Sequence, residues 1–167
     1  GERGFGNGYL LPAGPLRDPI DRLKSVDHVL LAGDPNPQLL ESLDKVDVAT
    51  SMFLLTPLSL CKADRQDNVP LNHLTGRAVR AVCGIGQPQK FINSLESLGM
   101  CASLYEFPDH YAFSVEDMEV LGGEDPIVVT EKDWTKLQHL PLSSDILSVT
   151  YILKVKADLD CHLIDQV

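Results

Sequence analysis

The sequence has no apolar run near the ~18 residues that a membrane-crossing helix needs, and no signal-peptide pattern. The expectation is a chain that does not itself span a membrane. It is also short of positive charge: 14 Lys and Arg stand against 24 Asp and Glu, a formal net charge of −10. Binding a phosphate backbone needs clustered Lys and Arg, so no nucleic-acid partner is expected. The same acidity disfavours broad adhesion to anionic lipid and leaves only a local basic patch to provide it. Four cysteines, Cys61, Cys83, Cys101 and Cys161, are widely spaced and form no CxxC pair. That spacing argues against zinc, and the apolar runs around three of them predict buried, reduced thiols of a cytosolic protein. Internal repeats and low-complexity segments are absent too.

What the chain does contain is enough apolar residue, 44% of 167, for one core or two small lobes. Residues 1–19 are rich in Gly and Pro and read as loop; a short helix follows at 20–24. Residues 28–32 read as a buried strand stopped by Gly33, 38–43 as a helix, and 46–60 as a long strand. The polar segment 62–72 reads as a linker or hairpin loop. From there the pattern is regular. Strands are predicted at 77–83, 101–107, 126–130 and 146–155, and helices at 88–98, 115–121 and 131–137. Phe91, Ile92, Leu95 and Leu98 fall on one helical face closed by Gly99, while Ser114 with Asp117, and Thr130 with Asp133, read as caps. Short connections between alternating strands and helices predict an α/β fold with a mostly parallel sheet.

In such a sheet, ligands sit beyond the carboxyl ends of the strands. Three segments of unusual composition follow strands here: "GIGQPQ" (84–89), "FPDHYAF" (107–113) and "TEKDW" (130–134). Gly84 and Gly86 either turn strand into helix or approach a ligand; the third glycine of a dinucleotide fingerprint is absent. Thr130 and Asp133 are explained by capping, with Lys132 as an alternative phosphate contact. Asp109 and His110, flanked by aromatics, read either as a proton-transfer or phosphate site or as a cap and a core histidine. The remaining histidines, His28, His73, His139 and His162, read as structural or solvated, and Tyr105 and Tyr111 as packing. In the opening loop, Arg17 offers a planar fork suited to phosphate, beside Asp18, which can bind Mg²⁺ or orient the arginine. A surface turn carrying an Arg–Asp pair is the alternative.

Taken together, "RGFGNGYLLPAGPLRDPIDRLKSVDHVLLAG", "AVCGIGQPQKFINSLESLG", "FPDHYAFS" and "VVTEKDWTKL" resemble tetraacyldisaccharide 4'-kinase, the lipid A 4'-kinase of Gram-negative bacteria. The blocks come in that family's order. The resemblance implies ATP-dependent phosphorylation, with Mg²⁺, of the 4'-hydroxyl of a lipid A disaccharide 1-phosphate. It places that activity at the cytoplasmic face of the inner membrane, with a peripheral attachment to the membrane surface.

That family is built on a P-loop, GxxxxGK[ST], and no such motif occurs in this sequence. The resemblance therefore implies the carboxyl-terminal portion of such a kinase, inactive alone and partnered by the missing amino-terminal half. It puts His110, Arg17 and Asp18 in catalysis, with Asp18 standing where the family usually has Glu, and Asn7, Gly8 and Asp109 against substrate. It implies residues 1–57 finishing the nucleotide-binding lobe and 58–71 as linker strand and loop. Residues 72–148 would form a small α/β lobe, and 149–167 a return strand and tail packing on the first lobe. The competing reading is a non-catalytic sugar-lipid or nucleotide-binding α/β module.

Overall fold

The structure is a computed structural model that describes residues 4–33 and 35–159. The chain divides into two compact units, Gly1–Thr56 with Ala157–Val167, and Pro57–Lys156. Cys161, His162 and the expected tail beyond residue 159 lie outside the described residues.

In the first unit, residues 4–19 form no regular element beyond an isolated bridge between Leu10 and Leu16. Pro19 then precedes a 3-10 helix, Ile20–Ser25, as its N-cap. Strand β1 (His28–Ala32) ends at Gly33, whose φ of +68° only glycine adopts freely. Helix α1 (Pro37–Asp44) is started by Asn36, whose side chain accepts the Leu39 amide at 2.7 Å. Leu39 and Leu43, one turn apart, pack on Leu31 and bury a small core. β1 runs parallel to the first residues of β2 (Ala49–Lys62), with Leu31 beside Met52. The expectation of a buried β1 is corrected: only Leu31 is buried, because α1 covers one face, and Leu30 on the other stays 50% exposed.

The second unit holds the order β2-β7-β6-β4-β5, with the short β3 (Asn68–Val69) antiparallel on β2. The segment 62–72 is thus a hairpin followed by a 3-10 turn, Leu71–Leu74. Strands β4 (Ala78–Cys83), β5 (Cys101–Glu106), β6 (Ile127–Thr130) and β7 (Thr150–Leu159) pair in parallel. Helix α2 (Pro88–Ser97) covers one face through Phe91, Ile92 and Leu95, against Val79, Ala81, Val128 and Leu153. The opposite face, Val82, Ile127, Val129 and Ile152, is covered by α3 (Val115–Glu119), α4 (Glu131–Leu137) and α5 (Ser144–Val149) through Met118, Leu137 and Ile146. Central strands buried on both faces explain the unbroken apolar run of β6. Leu95, Met118 and Leu137 are fully buried, each contributing about 2 kcal/mol on an area basis.

One element departs from expectation. Residues 146–155, predicted as a single strand, begin inside α5, which Ser143 caps, and the strand starts only at Thr150. The Thr150 hydroxyl donates to the Ile146 carbonyl at 2.7 Å, closing that helix as the strand begins. Cys61 and Cys83 are buried as expected, whereas Cys101, at the start of the edge strand β5, is exposed.

Candidate active site

The parallel register sets the geometry. Cys83, the last residue of β4, lies beside Glu106, the last of β5, and Val82 lies beside Val129 of β6. The segments leaving β4, β5 and β6 therefore emerge along one edge of the sheet, as the sequence pattern predicts.

Asp133 ties two of them together. This fully buried carboxylate sits in the first turn of α4. Its Oδ2 accepts the Thr130 hydroxyl at 2.7 Å and the Gly84 amide at 3.1 Å. Among the described residues its Oδ1 has no hydrogen-bond partner, the Lys136 Nζ standing 3.8 Å away. Thr130 caps α4 as expected, accepting the Asp133 amide at 3.1 Å. Asp133 answers through the hydroxyl of Thr130 and reaches beyond it to the neighbouring strand. Gly84 fits because it has no side chain: a Cβ there would stand 3.1 Å from the Pro108 carbonyl oxygen. With its amide already bonded to Asp133, Gly84 has no N–H to offer a phosphate, which favours the strand-to-helix turn over a nucleotide cradle.

The third segment carries Asp109 and His110. Asp109 Oδ1 accepts the Lys132 ammonium at 2.7 Å and the His110 amide at 3.0 Å, while Oδ2 lies 3.8 Å from His110 Nε2. The Lys132 hydrogen bond, with the nearby His110 charge, lowers the Asp109 pKa below its ordinary value. His110 has a φ of +64°, and its side chain is 79% exposed. The core-histidine alternative is thereby removed. Tyr111 turns inward, 4.8 Å from Phe107 and 5.4 Å from Phe113 between ring centres, its carbonyl held by Lys136 Nζ at 3.0 Å. Burial and the nearby Asp117 raise its phenol pKa.

Asn7, Gly8, Arg17 and Asp18 belong to the first unit. The Asn7 side chain braces its own loop, accepting the Tyr9 amide at 3.1 Å and donating to the Ala13 carbonyl at 3.0 Å. Gly14 is held so tightly in that loop that a Cβ would lie 2.2 Å from Asn7 Oδ1. Gly8 turns the chain at a φ of +75°. Arg17 and Asp18 are exposed just before the 3-10 helix, and no ion pair forms between them. Among the described residues no three His, Cys, Asp or Glu side chains gather to hold a metal ion. Asp18, a lone exposed carboxylate, does not by itself make a Mg²⁺ site. No helix among the described residues is long and apolar enough to cross a membrane.

Sequence reasoning missed the links between segments, above all the Lys132–Asp109 pair and the reach of Asp133 to Gly84. A lysine and an acid on two of the three strand-end segments were the available signal.

A family model described as tetraacyldisaccharide-1-P 4'-kinase matches residues 1–167. The tetraacyldisaccharide 4'-kinase of Methylobacillus flagellatus is 42% identical over 137 residues, 81% of this chain and 38% of that protein. The Legionella pneumophila protein of the same name is 38% identical over 160 residues, 96% of this chain and 44% of its own. The crystal structure of LpxK from Aquifex aeolicus in complex with ATP is similar at a TM-score of 0.62 and 26% identity, covering 94% of this chain and 46% of that one. The chain thus spans less than half the length of these relatives. It belongs to the tetraacyldisaccharide-1-P 4'-kinase family.

Proposed function

We propose that this chain is the carboxyl-terminal part of an ATP-dependent kinase that phosphorylates the 4'-hydroxyl of a tetraacyldisaccharide 1-phosphate in lipid A biosynthesis. The carrying observation is His110, exposed beside Asp109 at the carboxyl edge of a parallel sheet, in a chain matched along its whole length by that family. His110 is the group to accept or steer the proton that leaves the 4'-hydroxyl as its oxygen attacks the γ-phosphorus. Arg17 offers a bidentate fork to a phosphate or to charge developing on the transferred group, with Asp18 beside it. Asn7 and Gly8 shape the loop that meets the sugar, and Asp109 lies against the substrate.

ATP, with which the similar Aquifex aeolicus protein forms its crystallised complex, is the phosphoryl donor in this reading. Its phosphate-binding loop comes from the amino-terminal half, since the sequence here holds no GxxxxGK[ST]. Mg²⁺ likewise takes ligands from that half in this reading. Residues 1–57 then finish the nucleotide-binding lobe, 58–71 link it to a small lobe at 72–148, and 149–167 return to the first lobe. Exposed apolar residues support a missing partner: in the first unit Leu30, Met52, Leu54 and Leu55 are between 50% and 61% exposed. Parallel sheets are normally covered on both faces. The acceptor lipid places the work at the cytoplasmic face of the inner membrane, with peripheral attachment.

Radiolabelled ATP and a lipid A disaccharide 1-phosphate test the reading. The 167-residue chain alone should transfer no label; joined to the amino-terminal half of a family member, it should label the 4'-position. Turnover by the isolated chain overturns the partial-kinase reading. A folded, joined chain without turnover favours the non-catalytic module.

A further inference from the structure

His110 occupies a backbone conformation that side-chain-bearing residues rarely adopt, at a φ of +64°, and its side chain is 79% exposed. Its own side chain is held by little, so its neighbours must fix where the imidazole points. The side chains that hold those neighbours both come from α4. Lys132 Nζ lies 2.7 Å from Asp109 Oδ1, the same oxygen that accepts the His110 amide at 3.0 Å. Lys136, one helical turn further on, donates to the Tyr111 carbonyl at 3.0 Å. The residues before and after His110 are therefore each tied to α4 by a lysine.

The helix is itself anchored. Asp133, between the two lysines, is fully buried and bonded to Gly84 of the adjacent segment at 3.1 Å. An exposed ion pair such as Lys132–Asp109 adds little to stability, so its presence at this point asks for another reason.

We propose that Lys132 and Lys136 are positioning residues that hold His110 in place, Lys132 through Asp109 and Lys136 through the Tyr111 carbonyl, rather than ligands for a substrate or nucleotide phosphate. Lys132 fixes the carboxylate so that Oδ1 secures the left-handed turn and Oδ2 faces the imidazole. The inference rests on the proposed role of His110 in phosphoryl transfer.

Two measurements separate it from that role. In the chain as it stands, amide exchange at His110 and the carboxyl titration of Asp109 are followed by NMR for the native protein, Lys132→Met and Lys132→Arg. The expected result in Lys132→Met is at least about fivefold faster exchange at His110 and an Asp109 titration that moves up toward the ordinary carboxylate range. Lys132→Arg should retain the native behaviour, and the melting temperature should stay unchanged. No change at either group in Lys132→Met overturns the proposal, whatever His110 does in catalysis.

In the joined kinase, Lys132→Met and Lys136→Met should each lower kcat about tenfold with KM within about twofold, and neither should cost anything further in a His110→Ala background. Lysines that grip phosphate directly would raise KM and keep their effect without His110, which contradicts the proposal. If His110→Ala itself leaves turnover intact while the NMR changes appear, the positioning stands and the catalytic reading of His110 fails.

Discussion

Asp133 accepts the amide of Gly84 at 3.1 Å across 49 residues of sequence, joining the first turn of α4 to the end of β4. Replacing it by Ala leaves the buried Gly84 amide and the part-buried Thr130 hydroxyl without their acceptor. An orphaned buried polar group costs about 1–3 kcal/mol, so Asp133→Ala should destabilise the second unit by about 3 kcal/mol. In thermal melting that is a fall on the order of 10 °C for a unit of this size. Asp133→Asn retains one acceptor oxygen and should lose less. A fall of only a degree or two in Asp133→Ala would show that the tie is incidental.

Much of this architecture is legible in the sequence, and the reasons differ by element. Ser114 and Asp117 announce α3 because each satisfies a backbone donor of the other, and both bonds form, at 3.2 and 2.8 Å. Gly33 and Gly99 mark stops because both sit at positive φ. The α5–β7 junction is not legible, because Ile146, Val149 and Ile152 read as β-formers in any context. What makes the first two of them helical is the Ser143 cap and a place on the sheet, which is tertiary information. Arg80 shows the same limit. From β4 its guanidinium donates to the carbonyls of Leu121, Gly122 and Asp125, pinning the segment after α3, and no spacing announces that. At the site, the three strand-end segments are foreseeable from the α/β pattern. The lysine ties that join them depend on helix rotation and are not.

The two units should differ in local stability. The first buries a core of Leu31, Leu39 and Leu43, whereas the second buries two larger clusters on opposite faces of its sheet. In the isolated chain, amides of β4 and β6 should exchange only by global unfolding, while those of β1 should exchange through local opening, at least about tenfold faster. Equal protection in β1 and β4 contradicts this ordering.

Cys83 gives a pH dependence whose sign is fixed. Burial, reinforced by the negative charges of Asp133 and Glu106, pushes its thiol up to about 11. The folded state therefore holds this proton more tightly than the unfolded chain, whose ordinary thiol value is about 8.5. The contribution is complete below about pH 8.5 and is lost as pH rises toward 11. Denaturant unfolding at about pH 7.5 and about pH 10 should show a steeper loss in the native chain than in Cys83→Ala. In the folded chain near pH 8 a thiol reagent should modify exposed Cys101 well before Cys83. Equal labelling of the two would contradict the burial of Cys83.

The most direct measurement of the central claim is kcat for 4'-phosphorylation by the joined kinase with and without His110→Ala, alongside its melting temperature. Removing a proton-transfer group typically costs about 10²-fold or more, and His110 is too exposed for its truncation to unfold the lobe. His139→Ala, an exposed residue beyond α4, serves as the control. The account predicts a loss of about 10²-fold or more for His110→Ala at an unchanged melting temperature, with His139→Ala unaffected. Near-native turnover in His110→Ala, or a loss that only follows a collapse in melting temperature, would contradict it.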